Sequence, residues 1–500
     1  EPNSLTIYAP REGIARSPHT GYADIRNLDI SSIPGIVRLN NILAKKSGTT
    51  VVGLIKWMVR NPATPAEVFV LDDGGKVYKS ADSGVTWALM TGFTAGGAGQ
   101  GMAIWKNYLF VARATAIDIC GDGTATGITN ANWSNSWAGL TLTTDALWHP
   151  MLVSKNDDKL YIGAGIYVSS VAEATAPFAP ATSASYTTTA QALDLPASYR
   201  IKCLEELGNN LMIGAWQGTN VYDIRIADIF PWDRSAVSFG QPIVIPEYGI
   251  HAMRNIGNLL VVLAGTAGFI YKSDGVNASI MGKLPIDLSG GKYIEYYPGA
   301  LTYYKNKIFF GIGHTALTVG GGATTIAGMG VYSLEQTAKG NILNLEHLSS
   351  ALTDGSSAAV KYSALLPISD ETILVGWQSA TTFGIDLTTE ASFAYGTDYS
   401  GFFESALYSV GSLLRQLTPT EIEFNLARPL RTGEGIKLEY RTDLTASYTT
   451  IATLTFATEG AVVSSNKVYD FPPSEQIQFK VSLLGTSTTT PEMRGVTIRW

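Results

Sequence analysis

The chain has 500 residues, which is long enough for a large buried core and for more than one domain. Lys and Arg number 35 against 42 Asp and Glu, and the resulting net charge of -7 argues against a nucleic-acid-binding surface, which would show basic patches. Charged residues are only 15% of the chain, below the roughly 25% that is usual, and a surface so poor in charge is typical of one covered by partners.

The composition predicts an all-β protein, because 51 glycines and recurrent β-branched residues favour short strands and many turns. The two cysteines, Cys120 and Cys203, lack metal-ligand spacing and are too few for a disulfide framework, so we expect buried thiols. The start of the sequence has no signal-peptide pattern, and the most apolar run, Leu259–Ala264, is too short to span a bilayer. We therefore expect no membrane insertion.

Residues 1–45 lie outside the repeat described next. They contain a Pro34-Gly35 turn between two strand-like runs. This segment is predicted either to close a ring of repeats or to dock against a neighbouring protein, and the sequence leaves both roles open.

A short pattern recurs along residues 46–402: a polar turn, three apolar residues, and then usually Gly or Ala. It begins at Val68, Leu109, Leu160, Leu211, Val261, Ile308 and Ile373. Most instances have a strand-like partner on each side, and units of three or four strands at this spacing are typical of a β-propeller. We predict about seven blades, with six or eight as alternatives. A pair of β-sandwiches is the second architecture, but it does not account for the repeated triplet.

The stretch KSADSGVTW, residues 79–87, places Ser80, Asp82, Gly84, Thr86 and Trp87 in the order S-x-D-x-G-x-T-W. The Asp side chain is suited to accept hydrogen bonds within its own turn, and the glycine permits a positive φ. This stretch resembles the Asp-box of sialidases and related propeller proteins. The resemblance implies a structural turn between the third and fourth strands of a blade, away from the catalytic face. Residues 271–275 look like a partial copy.

Residues 403–500 change pattern. The runs at Glu421–Leu426, 436–441 and 476–483 alternate between apolar and polar residues, which predicts strands buried on one face only. We predict a separate antiparallel β-sandwich, similar to a jelly-roll at the level of the fold.

Catalytic signatures are missing from the sequence. Sialidases carry an aromatic-Arg-Ile-Pro motif near the start of the propeller, and this chain has none. The adjacent carboxylates Asp72-Asp73 and Glu205-Glu206 lie in strand-like runs, where neighbouring side chains point to opposite faces. The five histidines show no metal or zinc-protease spacing. We therefore predict no catalytic, cofactor-binding or metal-binding residues and a non-enzymatic protein, with a glycoside hydrolase as the second interpretation.

Residues 229–234 form an aromatic segment around a proline. Phe230, Trp232 and Arg234 are candidates for an interface, because aromatic and Arg side chains are enriched in interfaces. The alternative is a loop between blades that packs on its neighbour.

Taken as a whole, the chain resembles tail-associated proteins of bacteriophages, which combine an N-terminal docking segment, a β-propeller and a terminal β-sandwich. The resemblance implies a structural component of the virion tail, assembled in the host cytoplasm. It implies virion proteins as partners, a homo-oligomer, and a host-surface glycan or protein as a further candidate partner. The alternative function is a secreted carbohydrate-active propeller, sialidase-like or lectin-like. A third interpretation is a scaffold that binds a protein through one propeller face.

Overall fold

The structure of the chain is a computed structural model. It describes residues 4–8, 22–30, 33, 35–48, 50–93, 97–143, 148–217, 227–235, 237–286, 288, 293–315, 329–337, 340–347, 360–388, 401–409, 420–469 and 474–499. The chain divides into two compact units. The propeller unit comprises Lys45–Met329 and Ser356–Leu387, and the terminal unit comprises Glu1–Ala44, Gly330–Gly355 and Thr388–Trp500.

Within its described residues, the propeller unit contains seven groups of antiparallel strands, numbered here as blades 1 to 7 in chain order. Blades 1 to 5 are four-stranded sheets. The inner strand of each blade is given first. Blade 1 has Ile55–Arg60, Val68–Asp72, Val77–Ser80 and Ala88–Leu89; blade 2 has Gly99–Trp105, Tyr108–Arg113, Ala116–Cys120 and Trp133–Ser134; blade 3 has Met151–Val153, Leu160–Ala164, Tyr167–Glu173 and Tyr186–Asp194; and blade 4 has Tyr199–Leu207, Asn210–Gln217, Ala227–Trp232 and Ile243–Ile245. Blade 5 has Ile250–Ile256, Leu259–Ala264, Phe269–Ser273 and Ala278–Lys283; blade 6 has Tyr293–Tyr304 and Lys307–Thr315; and blade 7 has Val360–Pro367, Ile373–Ser379 and Thr382–Thr388. A short 3-10 helix, Ser183–Ser185, precedes the last strand of blade 3.

The inner strands form a closed ring. Each contacts the inner strand of the next blade, and Val360–Pro367 of blade 7 contacts Ile55–Arg60 of blade 1. The Ser363 hydroxyl fixes this junction by donating a hydrogen bond to the Ile55 carbonyl oxygen. The beginning of the unit is tied to the last blade as well, because the Lys46 N–H donates to the Ile385 carbonyl. The predicted propeller is therefore confirmed, and its described residues form seven blades.

The repeated triplet forms the second strand of every blade, and the glycine that follows it has a steric role. A Cβ at Gly214 would lie 2.5 Å from the Cys203 sulfur and 2.7 Å from Ile250 of the next blade. One at Gly163 would lie 2.7 Å from Ile201, again in the following blade. The small residue therefore lets adjacent blades pack closely, which is the physical reason for its place in the repeat.

The terminal unit contains two larger sheets. The first has the strand order Ser4–Tyr8, Met493–Arg499, Glu421–Leu426, Ser464–Val468. The second has the order Thr449–Thr455, Gly435–Arg441, Gln476–Leu484, Gly401–Ser405, Tyr22–Arg26, Gly340–His347, Val331–Thr337, and Tyr408–Ser409 also pairs with Gln476–Leu484. Side chains from both sheets form one hydrophobic cluster that includes Phe424, Ile498, Leu438 and Phe479. The assignment of these residues to a jelly-roll-like sandwich stays a prediction.

Smaller elements complete the unit. Leu28–Asp29 pairs with Arg38–Leu39, and strand Leu43–Lys45 follows at the boundary between the two units. The helix Phe456–Glu459 begins with a capping box formed by Thr455 and Thr458. The alternation predicted for Glu421–Leu426 is confirmed, because every second side chain is buried.

The division into units differs from the predicted boundaries at 45, 402 and 403. Gly330–Gly355 lies within the predicted propeller range, yet it belongs to the terminal unit together with the N-terminal segment. The physical reason is strand pairing: Arg26 pairs with Leu345 and with Phe402, so three distant segments share one sheet. A sequence repeat shows local units and does not show such long-range pairing.

Both cysteines are buried free thiols, as predicted. In the described part of the chain, no helix combines the length and the apolar character needed to cross a membrane.

Candidate functional site

The Asp-box residues form a turn between the third and fourth strands of blade 1. The Ser80 hydroxyl donates to the Asp82 carboxylate and accepts from the Gly84 N–H, both at 2.8 Å. Asp82 also accepts from the backbone N–H and the hydroxyl of Thr86, at 2.8 and 2.6 Å. The Trp87 indole donates to the Gly84 carbonyl at 3.1 Å and packs between blades 1 and 7. These side-chain hydrogen bonds all join residues of the turn to one another.

Two details account for the residue types in this turn. Gly84 has a φ of +90°, which disfavours any side chain. Burial acts to raise the pKa of the Asp82 carboxyl, but the hydrogen bonds from Thr86 and Ser80 outweigh it, and the pKa lies below its ordinary value. The partial copy in blade 5 is simpler: Ser273 accepts only from the Gly275 N–H, at 3.1 Å.

Burial contradicts the interface interpretation for the two aromatic candidates in residues 229–234, Phe230 and Trp232, whereas Arg234 is only partly buried. Phe230 and Trp232 are 2% and 3% exposed and pack in the core between blades 3 and 4. Arg234 donates to the Glu206 carboxylate at 2.5 Å and to the Asn209 carbonyl at 2.7 Å, with its guanidinium 5.7 Å from the centre of the Tyr161 ring. These residues connect blades, and a buried ring has no surface to offer a partner.

The adjacent carboxylates are structural as well. Asp72 is buried and accepts hydrogen bonds from the Lys76 N–H and the Tyr78 hydroxyl. Glu206 accepts from the Ser154 hydroxyl and from Arg234, and it joins blade 3 to blade 4. Burial raises the pKa of Asp72, and it also raises that of Glu205, the neighbour of Glu206.

The histidines are dispersed through the structure. His149 is buried between the Gly163 and Ala114 carbonyls, and His347 is buried in the terminal unit. His19 and the side chain of His314 lie outside the described residues. The described residues contain no group of three or more His, Cys, Asp or Glu side chains placed to hold a metal ion.

The propeller axis carries a cluster of cations and aromatic rings that the sequence analysis missed. Two lysines approach the same indole: Lys56 Nζ lies 4.4 Å and Lys202 Nζ 5.4 Å from the centre of the Trp148 ring. Lys202 Nζ also lies 5.7 Å from the centre of the Trp216 ring, and Trp57 makes an edge contact with Trp148. We call these five residues the axial cluster. They come from blades 1 and 4 and from the segment that leads into blade 3.

Lys202 is held by two acceptors. Its ammonium group donates to His251 Nδ1 at 2.6 Å and to the Tyr296 carbonyl at 3.3 Å. Because an ammonium group only donates, Nδ1 must accept, and the ring proton lies on Nε2, which faces the Tyr248 carbonyl at 3.0 Å. Burial lowers the pKa of His251 well below its usual value, and the Lys202 charge adds to the effect, so the imidazole is neutral.

Both cluster lysines are destabilised as cations. Burial lowers the pKa of Lys202 to about 8, with Glu295 opposing the shift and Lys56 adding to it. Burial also lowers the pKa of Lys56, which Asp73 opposes and Lys361 reinforces. The nearby Glu295 carboxylate accepts a hydrogen bond from the Tyr297 hydroxyl and pairs with Lys361 at 3.3 Å. The axis is therefore a locally positive place in a chain of net negative charge.

The sequence did contain a signal for this cluster. Most inner strands carry a polar residue near their start, within an otherwise apolar run. These residues are Lys56, Gln100, Lys202, His251, Glu295 and Lys361. They precede the apolar triplets of their blades by 9 to 13 residues, so an alignment of the repeats would have placed them in similar, though not identical, positions.

Comparisons with known proteins give structural likeness only. No protein-family profile matches this sequence, and no sequence among curated proteins matches it. A structure titled YCF48 bound to D1 peptide is similar with a TM-score of 0.43 and 12% identity, over 73% of this chain and 97% of that one. The structure of U3-55K has a TM-score of 0.43 and 13% identity, over 69% of this chain and 97% of that one. The computationally designed Ika8 protein has a TM-score of 0.37 and 12% identity, over 69% and 99%.

Proposed function

We propose that this protein is a non-enzymatic binding platform in a bacteriophage particle, associated with the tail. The observation that carries the binding role is the axial cluster, where two lysines approach one buried indole and no carboxylate pairs with either of them among the described residues. Such a site is equipped to hold a partner, which supports a binding role. The virion role rests on the resemblance in domain order and composition.

Exposed apolar side chains on outer strands support an assembled state. Val244 in the last strand of blade 4 is 64% exposed, and Ile280 in the last strand of blade 5 is 57% exposed. In the terminal unit, Val468 on the outer strand Ser464–Val468 is 88% exposed. Soluble monomers usually protect such edges with charges, so unprotected apolar edges fit a protein whose neighbours cover them. The proposed partners are other tail proteins and further copies of this chain.

Mass spectrometry of density-purified particles tests the proposal, with this chain quantified against a major coat protein. We expect a fixed, small, symmetric number of copies per particle. Absence from particles, with the chain free in the medium, would contradict the virion role and favour the secreted carbohydrate-active alternative.

A turnover assay on a panel of aryl glycosides tests the non-enzymatic part. No turnover is expected. Activity that a single Glu→Gln substitution abolishes would overturn it.

A further inference from the structure

Two like charges lie close together at the propeller axis without a counter-charge bonded to them. Lys56 and Lys202 approach the same Trp148 ring, so their ammonium groups are within about 10 Å of each other. At this separation, partly buried charges repel each other with little screening. Neither lysine forms an ion pair among the described residues. An arrangement of this kind is stabilised when an anion enters it.

The same place contains hydrogen-bond donors that have no acceptor. Lys56 Nζ donates no hydrogen bond within the described part of the chain, and its side chain is only partly buried. Lys202 uses two of its three N–H donors, on His251 and Tyr296. Trp216 is 3% exposed, and its indole N–H is buried without a partner. An unpaired buried donor is costly, so these groups indicate a missing acceptor.

The nearby carboxylates are committed to other donors. Glu295 accepts from the Tyr297 hydroxyl and pairs with Lys361. Asp73 accepts the backbone N–H of Leu54 at 3.0 Å. They moderate the positive field at the axis, but neither bonds to Lys56 or Lys202. Among the described residues, neither carboxylate supplies the missing acceptor.

We propose that the axial cluster binds the carboxylate of an acidic peptide segment presented by a partner protein, which rests on the proposed function as a binding platform. The carboxylate accepts from Lys56, from the third N–H of Lys202 and from the Trp216 indole. The two lysine bonds are charge-assisted, which makes them stronger than hydrogen bonds between neutral groups. The indole bond satisfies a donor that is otherwise unpaired.

A peptide carboxylate fits the site better than an acidic sugar does. A sugar ring would need a free aromatic face, but ammonium groups already lie over Trp148 and Trp216, and Trp57 makes an edge contact with Trp148. Lys202 and Trp216 are both deeply buried, so only a slender group can reach them. An aspartate or glutamate side chain on a flexible segment meets both conditions.

Isothermal titration calorimetry with the full-length protein tests the proposal. The probe is a capped Gly-Glu-Gly-Glu-Gly peptide, and the matched probe replaces both Glu with Gln. We expect binding of the Glu peptide only, weakened about tenfold or more by Lys56→Met and by Trp216→Phe, which keeps the ring and removes the N–H. The control variant is Lys45→Met, because Lys45 lies 5.3 Å from the Trp377 ring away from the cluster and should leave affinity unchanged.

Circular dichroism of each variant shows whether it is folded. If Lys56→Met does not fold, Trp216→Phe still tests the proposal. Equal binding of the Gln peptide, or an equal loss with Lys45→Met, would overturn the proposal. Tighter binding of inorganic phosphate or glucuronate would overturn it in favour of a free-anion or acidic-sugar site. Presence in particles without Glu-peptide binding refutes this inference alone. Glu-peptide binding by a chain absent from particles refutes the virion role and keeps the site.

Discussion

Lys202 gives the sharpest prediction, because its environment disfavours its charge. Folding lowers the Lys202 pKa from 10.5 to about 8. Between these two pH values the unfolded chain holds the proton and the folded chain has released it, so the free energy of unfolding rises with pH. From pH 7 to pH 9.5 the two pKa values give a gain of about 2 kcal/mol from this residue alone. Below pH 7 the charged Lys202 is penalised in full and the gain is absent.

Urea unfolding at half-unit pH steps, followed by tryptophan fluorescence, measures the effect as a difference between wild type and Lys202→Met. The difference is needed because other buried groups titrate in the same range. Burial raises the pKa of Cys120 to about 12, which makes stability fall as pH rises above the pKa of an unfolded thiol. That contribution is common to both proteins and cancels. Lys45→Met serves as the matched control and should follow the wild-type profile.

Parallel pH profiles for wild type and Lys202→Met, within about 0.5 kcal/mol, would refute the reasoning. They would show that Lys202 keeps an ordinary pKa in the folded protein. The hydrogen bonds to His251 and Tyr296 would then compensate its charge, and the case for an unsatisfied cation at the axis would weaken.

Three further predictions concern the rest of the propeller. Ser80→Ala should lower the free energy of unfolding of the propeller by about 2 kcal/mol in urea, because the Gly84 N–H stays buried without an acceptor. Ser273→Ala should lower it by about half as much, and equal losses of stability would contradict this account. Phe230→Ala should cost about 3–5 kcal/mol, as expected for a core ring, and an unchanged stability would restore the interface interpretation. Native alkylation of Cys120 at pH 8 should run about a thousandfold slower than in a free peptide, because its thiol pKa is about 12; a comparable rate would contradict burial of the thiol.

The axial cluster was not predictable from local sequence. Lys56 and Lys202 are separated by nearly three blades, and each lies in a run that looks like an ordinary strand. Only closure of the ring brings them to one indole and removes them from water. The same limit explains the error at Phe230 and Trp232: an exposed and a buried aromatic pair look alike in sequence, and packing between blades 3 and 4 decides between them.

The sequence by itself determined the features that depend on short-range chemistry. The apolar triplets with a closing small residue fixed the blade repeat, because Gly163 and Gly214 must admit the next blade wherever two blades meet. The Asp-box turn followed in the same way, since its hydrogen bonds join residues at most four positions apart. The tertiary structure decided what depends on long-range pairing: the closed ring of blades, the terminal unit built from three chain segments, and the two axial lysines that form no ion pair among the described residues. The physical reason is that the burial of a side chain, and the charges around it, depend on neighbours that only the folded chain supplies.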